Sequence, residues 1–73
     1  MAPMMEMVTQ REMDRIFEVS DRLGIHRESL VVPLAARTPG RVRRMPSGKI
    51  EIVVDAADPN AFFEGLEDRL RQL

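Results

Sequence analysis

Seventy-three residues with a net charge of −1, three Phe and no Trp, Tyr or Cys make one small domain with an aliphatic core, near the lower size limit for independent folding. The lack of Cys excludes disulfides and thiolate chemistry and fits a reducing compartment. No apolar run approaches the ~18 residues of a membrane span, and the Met-rich start lacks the basic region and cleavage site of a signal peptide, so the chain reads as soluble and cytoplasmic, with no membrane partner.

Charge is unevenly spread. From Arg37 to Lys49 there are five basic residues and no acid, whereas from Asp55 to Leu73 five acids face two Arg. The middle of the chain is basic and its end is acidic. Ten of the eleven basic residues are Arg, which fits a GC-rich genome better than a mechanism.

Met1–Val8 holds four of the six Met and reads as a loose arm ahead of a single α+β domain over residues 9–73. Thr9-Gln10-Arg11-Glu12 is a capping box, with Val8 and Met13 placed to form a hydrophobic staple. Met13, Ile16, Phe17, Ser20 and Leu23 then follow helical spacing, widened by Val19. Gly24 ends this first helix in the left-handed conformation and Ile25 folds back on it.

Leu30–Ala35 reads as a strand, which Pro33 confines to a sheet edge or a strand end. Its inward set is either Leu30, Val32 and Leu34 or Val31, Pro33 and Ala35, and the larger side chains favour the first. Thr38-Pro39-Gly40-Arg41 resembles a type II turn within a loop over Ala36–Gly40.

Arg41–Asp55 carries the strongest pattern. Ile50, Ile52 and Val54 alternate with Lys49, Glu51 and Val53, as in a half-buried strand. Pro46-Ser47-Gly48 suits a type I turn closed by a G1 bulge at Gly48. That turn sets Met45 against Lys49, Arg44 against Ile50, Arg43 against Glu51 and Val42 against Ile52. Val42, Ile50, Ile52 and Val54 share the core face. Arg41, Arg43, Met45, Lys49, Glu51 and Val53 share the other, with an Arg43–Glu51 pair across it.

Asp58 caps the last helix and Pro59 fills its first position. Phe62, Phe63, Leu66, Leu70 and Leu73 make its buried stripe, and Glu67 and Arg71 pair on the wet side. Gly65 either permits close approach to the sheet or weakens the helix. The expected architecture is a two-layer α+β domain of order α-β-β-β-α, with a three-stranded antiparallel sheet and both helices on one face.

The run Leu23-Gly24-Ile25, the strand ending at Val32-Pro33-Leu34, the Gly40-Arg41 strand, Gly48-Lys49-Ile50, Val53-Val54-Asp55 and the final helix resemble the skeleton of a family of small uncharacterised bacterial proteins. The same skeleton is similar to the front half of zincin-like metallopeptidases of the immunity-repressor type, over Glu12–Leu73. That family carries H-E-x-x-H on the helix after the last strand, where two His hold zinc and Glu activates water. Here the helix reads Asn60-Ala61-Phe62-Phe63-Glu64-Gly65-Leu66-Glu67-Asp68-Arg69-Leu70, with no His. The resemblance implies the scaffold without its metal ligands or general base.

No catalytic, metal or cofactor residue is assigned. His26, the only His, falls just after a helix end, and a catalytic zinc site needs more such ligands. Ser20, Ser29 and Ser47 lie in nothing like a nucleophile elbow. Gly48-Lys49 lacks the spacing of a phosphate loop. Glu64, Glu67 and Asp68 read as a wet helix face. The surface that invites a partner is Arg41, Arg43, Arg44, Met45, Lys49, Glu51 and Val53, with Arg37 nearby. The leading reading is a non-enzymatic scaffold or interaction module that forms a symmetric dimer around Val53 on the open sheet face. An unknown protein partner is a further option. The alternative is nucleic-acid binding by the basic hairpin 41–49, against which stand the net charge, Glu51 and the lack of stacking aromatics. A degenerate zincin-like relative without its own site is the third.

Overall fold

The capping box at the first helix forms as its residue types require. In the computed structural model, which describes residues 7–73, the Glu12 N–H donates to Thr9 Oγ1 (3.2 Å) and the Thr9 N–H to Glu12 Oε1 (2.9 Å). α1 runs Gln10–Arg22. It ends in a Schellman motif, with Ile25 N–H on the Ser20 carbonyl, Gly24 N–H on that of Asp21, and Gly24 at φ 74°. Ser20 is fully buried, its hydroxyl donating to the Phe17 carbonyl at 3.0 Å, so a polar residue sits in the apolar stripe without an orphaned group.

After a short 3₁₀ turn at Arg27–Ser29 come β1 (Leu30–Val31), β2 (Arg41–Arg44), β3 (Ile50–Val53) and α2 (Pro59–Arg71). The hairpin register is the one its turn dictates: Arg44 opposite Ile50, Arg43 opposite Glu51, Val42 opposite Ile52 and Arg41 opposite Val53. Met45 N–H donates to the Lys49 carbonyl (2.7 Å), Gly48 N–H to that of Met45 (2.9 Å), and Gly48 takes φ 90°.

The sheet is mixed where an antiparallel one is expected. Its order is β1-β3-β2, with β1 parallel to β3 and β2 antiparallel to it. Consecutive strands usually neighbour one another, but β1 and β2 lie on opposite edges with β3 between them. The connection therefore crosses the end of β3 instead of turning back beside β1. Gly40 has no positive φ, which rules out the type II turn. The extended segment after Val31 touches down at two isolated bridges, Ala35 antiparallel to Met7 and Arg37 parallel to Asp55.

Of the arm at Met1–Val8, residues 1–6 lie outside the described residues. Val8 is buried, and its N–H donates to the Leu34 carbonyl at 2.7 Å. The core joins Val8, Ile16, Ile50, Ile52, Val54, Phe62, Phe63, Leu66 and Leu70. Leu30 and Val32 pack against it, as the larger-side-chain choice requires, but Leu34 is exposed because the chain is already leaving β3 there. Leu73 is also exposed, since α2 stops at Arg71. Gly65 meets nothing within 4 Å of where a Cβ would stand, so close packing does not explain it and the helix is weakened there.

Each phenyl ring carries a guanidinium: Arg27 over Phe17 (4.5 Å), Arg15 over Phe63 (4.8 Å) and Arg69 over Phe62 (5.3 Å). These Arg side chains shield the edges of a core poor in aromatics.

The turn geometry makes a direct expectation. A β-branched residue fits badly at φ 90°, whereas Ser47 needs no special conformation. Gly48→Val should lower the denaturant midpoint clearly more than Ser47→Val, and equal losses would contradict the G1-bulge turn.

Candidate functional site: the basic sheet edge

The face of the hairpin away from the core is organised by one carboxylate. Glu51 Oε1 receives Arg43 Nε at 2.7 Å and Arg41 Nε at 3.3 Å. Its side chain is only 12 % exposed, against 59 % for Arg41 and 48 % for Arg43. The hydrogen bond from Arg43 holds the Glu51 carboxyl below its usual range, opposed by desolvation and helped by the charges of Arg43 and Arg41. One acid thus braces two cations across the strands. The expected Arg43–Glu51 pair is present, and Arg41 joins it.

Arg44 Nη1 donates to the Gly48 carbonyl at 3.2 Å, which draws its side chain back over the turn. Lys49 is exposed and Met45 half-buried. Among the described residues, Arg37, Arg44 and Lys49 form no ion pair. Val53 departs from expectation. It is 3 % exposed, because the crossing segment closes over it and forms with it a cleft of about 530 Å³ that Pro33, Arg37, Thr38, Pro39, Arg41 and Glu51 also line. A symmetric dimer centred on Val53 therefore loses its apolar centre.

The residue missed by sequence reasoning is Asp55. Its Oδ2 accepts from the Gly40 N–H (3.2 Å), and its Oδ1 accepts from the N–H groups of Ala57 (2.8 Å) and Asp58 (3.3 Å). The main chain of Arg37 brackets it, donating to the Val54 carbonyl (3.0 Å) and accepting from Ala56 (2.9 Å). Asp55 so ties the crossing segment, the end of β3 and the lead into α2. The Gly40 bond, then that of Ala57, holds its carboxyl low against desolvation, with Asp58 and the charge of Arg69 adding to the effect. The signal was there to be read: Asp55-Ala56-Ala57 has the form of an Asx turn, whose side chain bonds the backbone two residues on.

The other singled-out residues are spread over turns, caps and helix faces. His26 is exposed, and its carbonyl accepts from Ser29 at the start of the 3₁₀ turn. Ser20 is sealed in the core and Ser47 lies in the turn, its Oγ 3.4 Å from the Lys49 N–H. Asp58 caps α2 through the Ala61 N–H (3.1 Å). Glu67 binds Arg71 (2.8 Å), as its spacing suggests, and also Arg22 of α1 (3.4 Å). Among the described residues, no three His, Cys, Asp or Glu gather as a metal site would require, and no helix is long and apolar enough to cross a membrane. No protein-family model, curated protein or solved structure matches the chain.

The Asp55 geometry implies a pH dependence. A carboxyl whose folded pKa is lowered contributes stability above its unfolded value of about 4, and that contribution fades as pH falls through the lowered value. Asp55→Asn should be less stable than the parent near neutrality, by thermal unfolding. The gap should narrow as pH falls below about 4. A gap that stays constant across that range would mean the charge on Asp55 contributes nothing.

Proposed function

We propose that this chain is a non-enzymatic protein-interaction module that presents the basic edge of its sheet to an acidic protein surface. The observation that carries the reading is the cation excess at that edge. Arg37, Arg41, Arg43, Arg44 and Lys49 are all exposed, and Glu51, the carboxylate on the hairpin's open face, is already shared by Arg41 and Arg43. The reading takes both helices to cover the face with Ile50, Ile52 and Val54, since their buried side chains join those three in one cluster. That leaves the Arg41–Arg43–Glu51 face for a partner.

Nucleic acid is the weaker reading. Phosphates would be drawn to the same cations, but all three phenyl rings lie beside guanidinium groups elsewhere in the fold, so bases have no aromatic platform at this edge. Self-association as a symmetric pair through this face is disfavoured for a different reason: it would bring two Arg rows together. A zincin-like ancestry would account for the skeleton and adds no chemistry to α2, whose apolar side chains are spent on the core.

An NMR titration distinguishes these readings. Poly-glutamate should shift the amides of Arg41–Lys49 and leave the exposed face of α1 unmoved, with single-stranded DNA of equal charge shifting them less. Stronger shifts with the DNA would favour the nucleic-acid reading, and no shift with either polymer would refute the basic edge as a docking surface.

A further inference from the structure

β2 lies at the sheet edge, and its backbone has a defined polarity. Met45 N–H donates to the Lys49 carbonyl and the Met45 carbonyl accepts from Gly48 N–H, so both Met45 groups face the partner strand, and by the alternation of an antiparallel ladder Arg43 and Arg41 also turn their N–H and C=O groups toward β3. Those of Val42 and Arg44 then point outward, where an added strand would find them. The side chains alternate with the same period. Arg41 and Arg43 stand on the open face, and Val42 packs against the core between them.

Glu51 prepares the two guanidinium groups for this role. Its closest approach to each is at Nε, which leaves the terminal nitrogens of both to meet another carboxylate end-on. Arg41 also lines the cleft shaped by Arg37, Thr38 and Pro39, which therefore opens beside the start of β2.

We propose that β2 accepts an extended acidic segment of a partner protein as an added strand. Its acidic side chains fall at alternate positions beside Arg41 and Arg43, and apolar side chains between them fall beside Val42. This deepens the reading of the basic edge as a docking surface and rests on it. Charge complementarity selects this occupant over a second copy, since pairing β2 with β2 opposes like charges. Nucleic acid would satisfy the guanidinium groups and leave the outward N–H and C=O groups unused.

The test is fluorescence anisotropy with a labelled peptide of alternating Glu and Val, its fully N-methylated counterpart, and oligo-dT. N-methylation keeps the carboxylates and removes the donors that a strand offers to an edge. The alternating peptide should bind, and its N-methylated form should bind at least about tenfold more weakly. The double substitution R41Q/R43Q should weaken the alternating peptide by about tenfold or more in protein whose unfolding curve shows it folded, whereas Arg11→Gln on α1 should change nothing. If that double variant does not fold, Arg44→Gln with Lys49→Gln replaces it, with a smaller loss expected. Equal binding of the two peptides would overturn strand addition and leave the acidic-surface reading standing. Failure of both peptides would overturn that reading too, and tighter binding of oligo-dT would transfer the edge to nucleic acid.

Discussion

The contact on which the rest of the structure depends is the passage of Gly40 across the end of β3. A Cβ at that position would lie 2.6 Å from the Asp55 nitrogen, 2.7 Å from the Val53 oxygen and 2.8 Å from the Asp55 Cα. All three are backbone atoms, which cannot swing aside as a long side chain can. The Gly40 N–H then donates to Asp55 Oδ2, so the close approach also satisfies a polar group. Because the chain can pass here, the segment after β1 reaches the far edge of β3 and returns as β2. The mixed sheet, the burial of Val53 and the cleft beside Arg41 all follow from that crossing.

Local chemistry made much of this legible in advance. Thr9 and Glu12, Gly24, Pro46-Ser47-Gly48 and Asp58-Pro59 act within a few residues of themselves, and their caps and turns form as their types demand. The turn at Pro46-Ser47-Gly48 sets the hairpin register, and the alternation through Ile50–Val54 assigns its faces, for the same reason. Strand order was not legible, because it depends on contacts between residues far apart in the chain. Thr38-Pro39-Gly40-Arg41 has a turn-like composition, and a glycine needed for close approach looks in sequence like one needed for positive φ. The burial of Val53 is illegible for the same reason. Period 2 assigns it to the non-core face, which is correct, but cannot show that a crossing segment lies over it.

The proposed docking edge has the same origin. Had β1 paired antiparallel with β2, the Arg strand would lie inside the sheet with its backbone groups used on both sides. With β3 at the centre, Arg41–Arg44 becomes an edge, and the charges that keep such an edge from pairing with its own copy are the ones suited to an acidic strand. Glu51 and Asp55 divide the work along β3. Glu51 holds the cations of the face in place, and Asp55 holds the crossing that leaves them at an edge.

The most direct test of this account is the equilibrium unfolding of Gly40→Ala, with Gly65→Ala as its counterpart. The added methyl at Gly65 meets open space and should stabilise α2 by up to about 1 kcal/mol. The methyl at Gly40 meets backbone, and an overpacking cost of about 1–3 kcal/mol or more is large against the ~3–5 kcal/mol that so small a core supplies. Gly40→Ala should be mostly unfolded or melt far below the parent, while Gly65→Ala should not. A Gly40→Ala protein that unfolds like the parent would contradict this account.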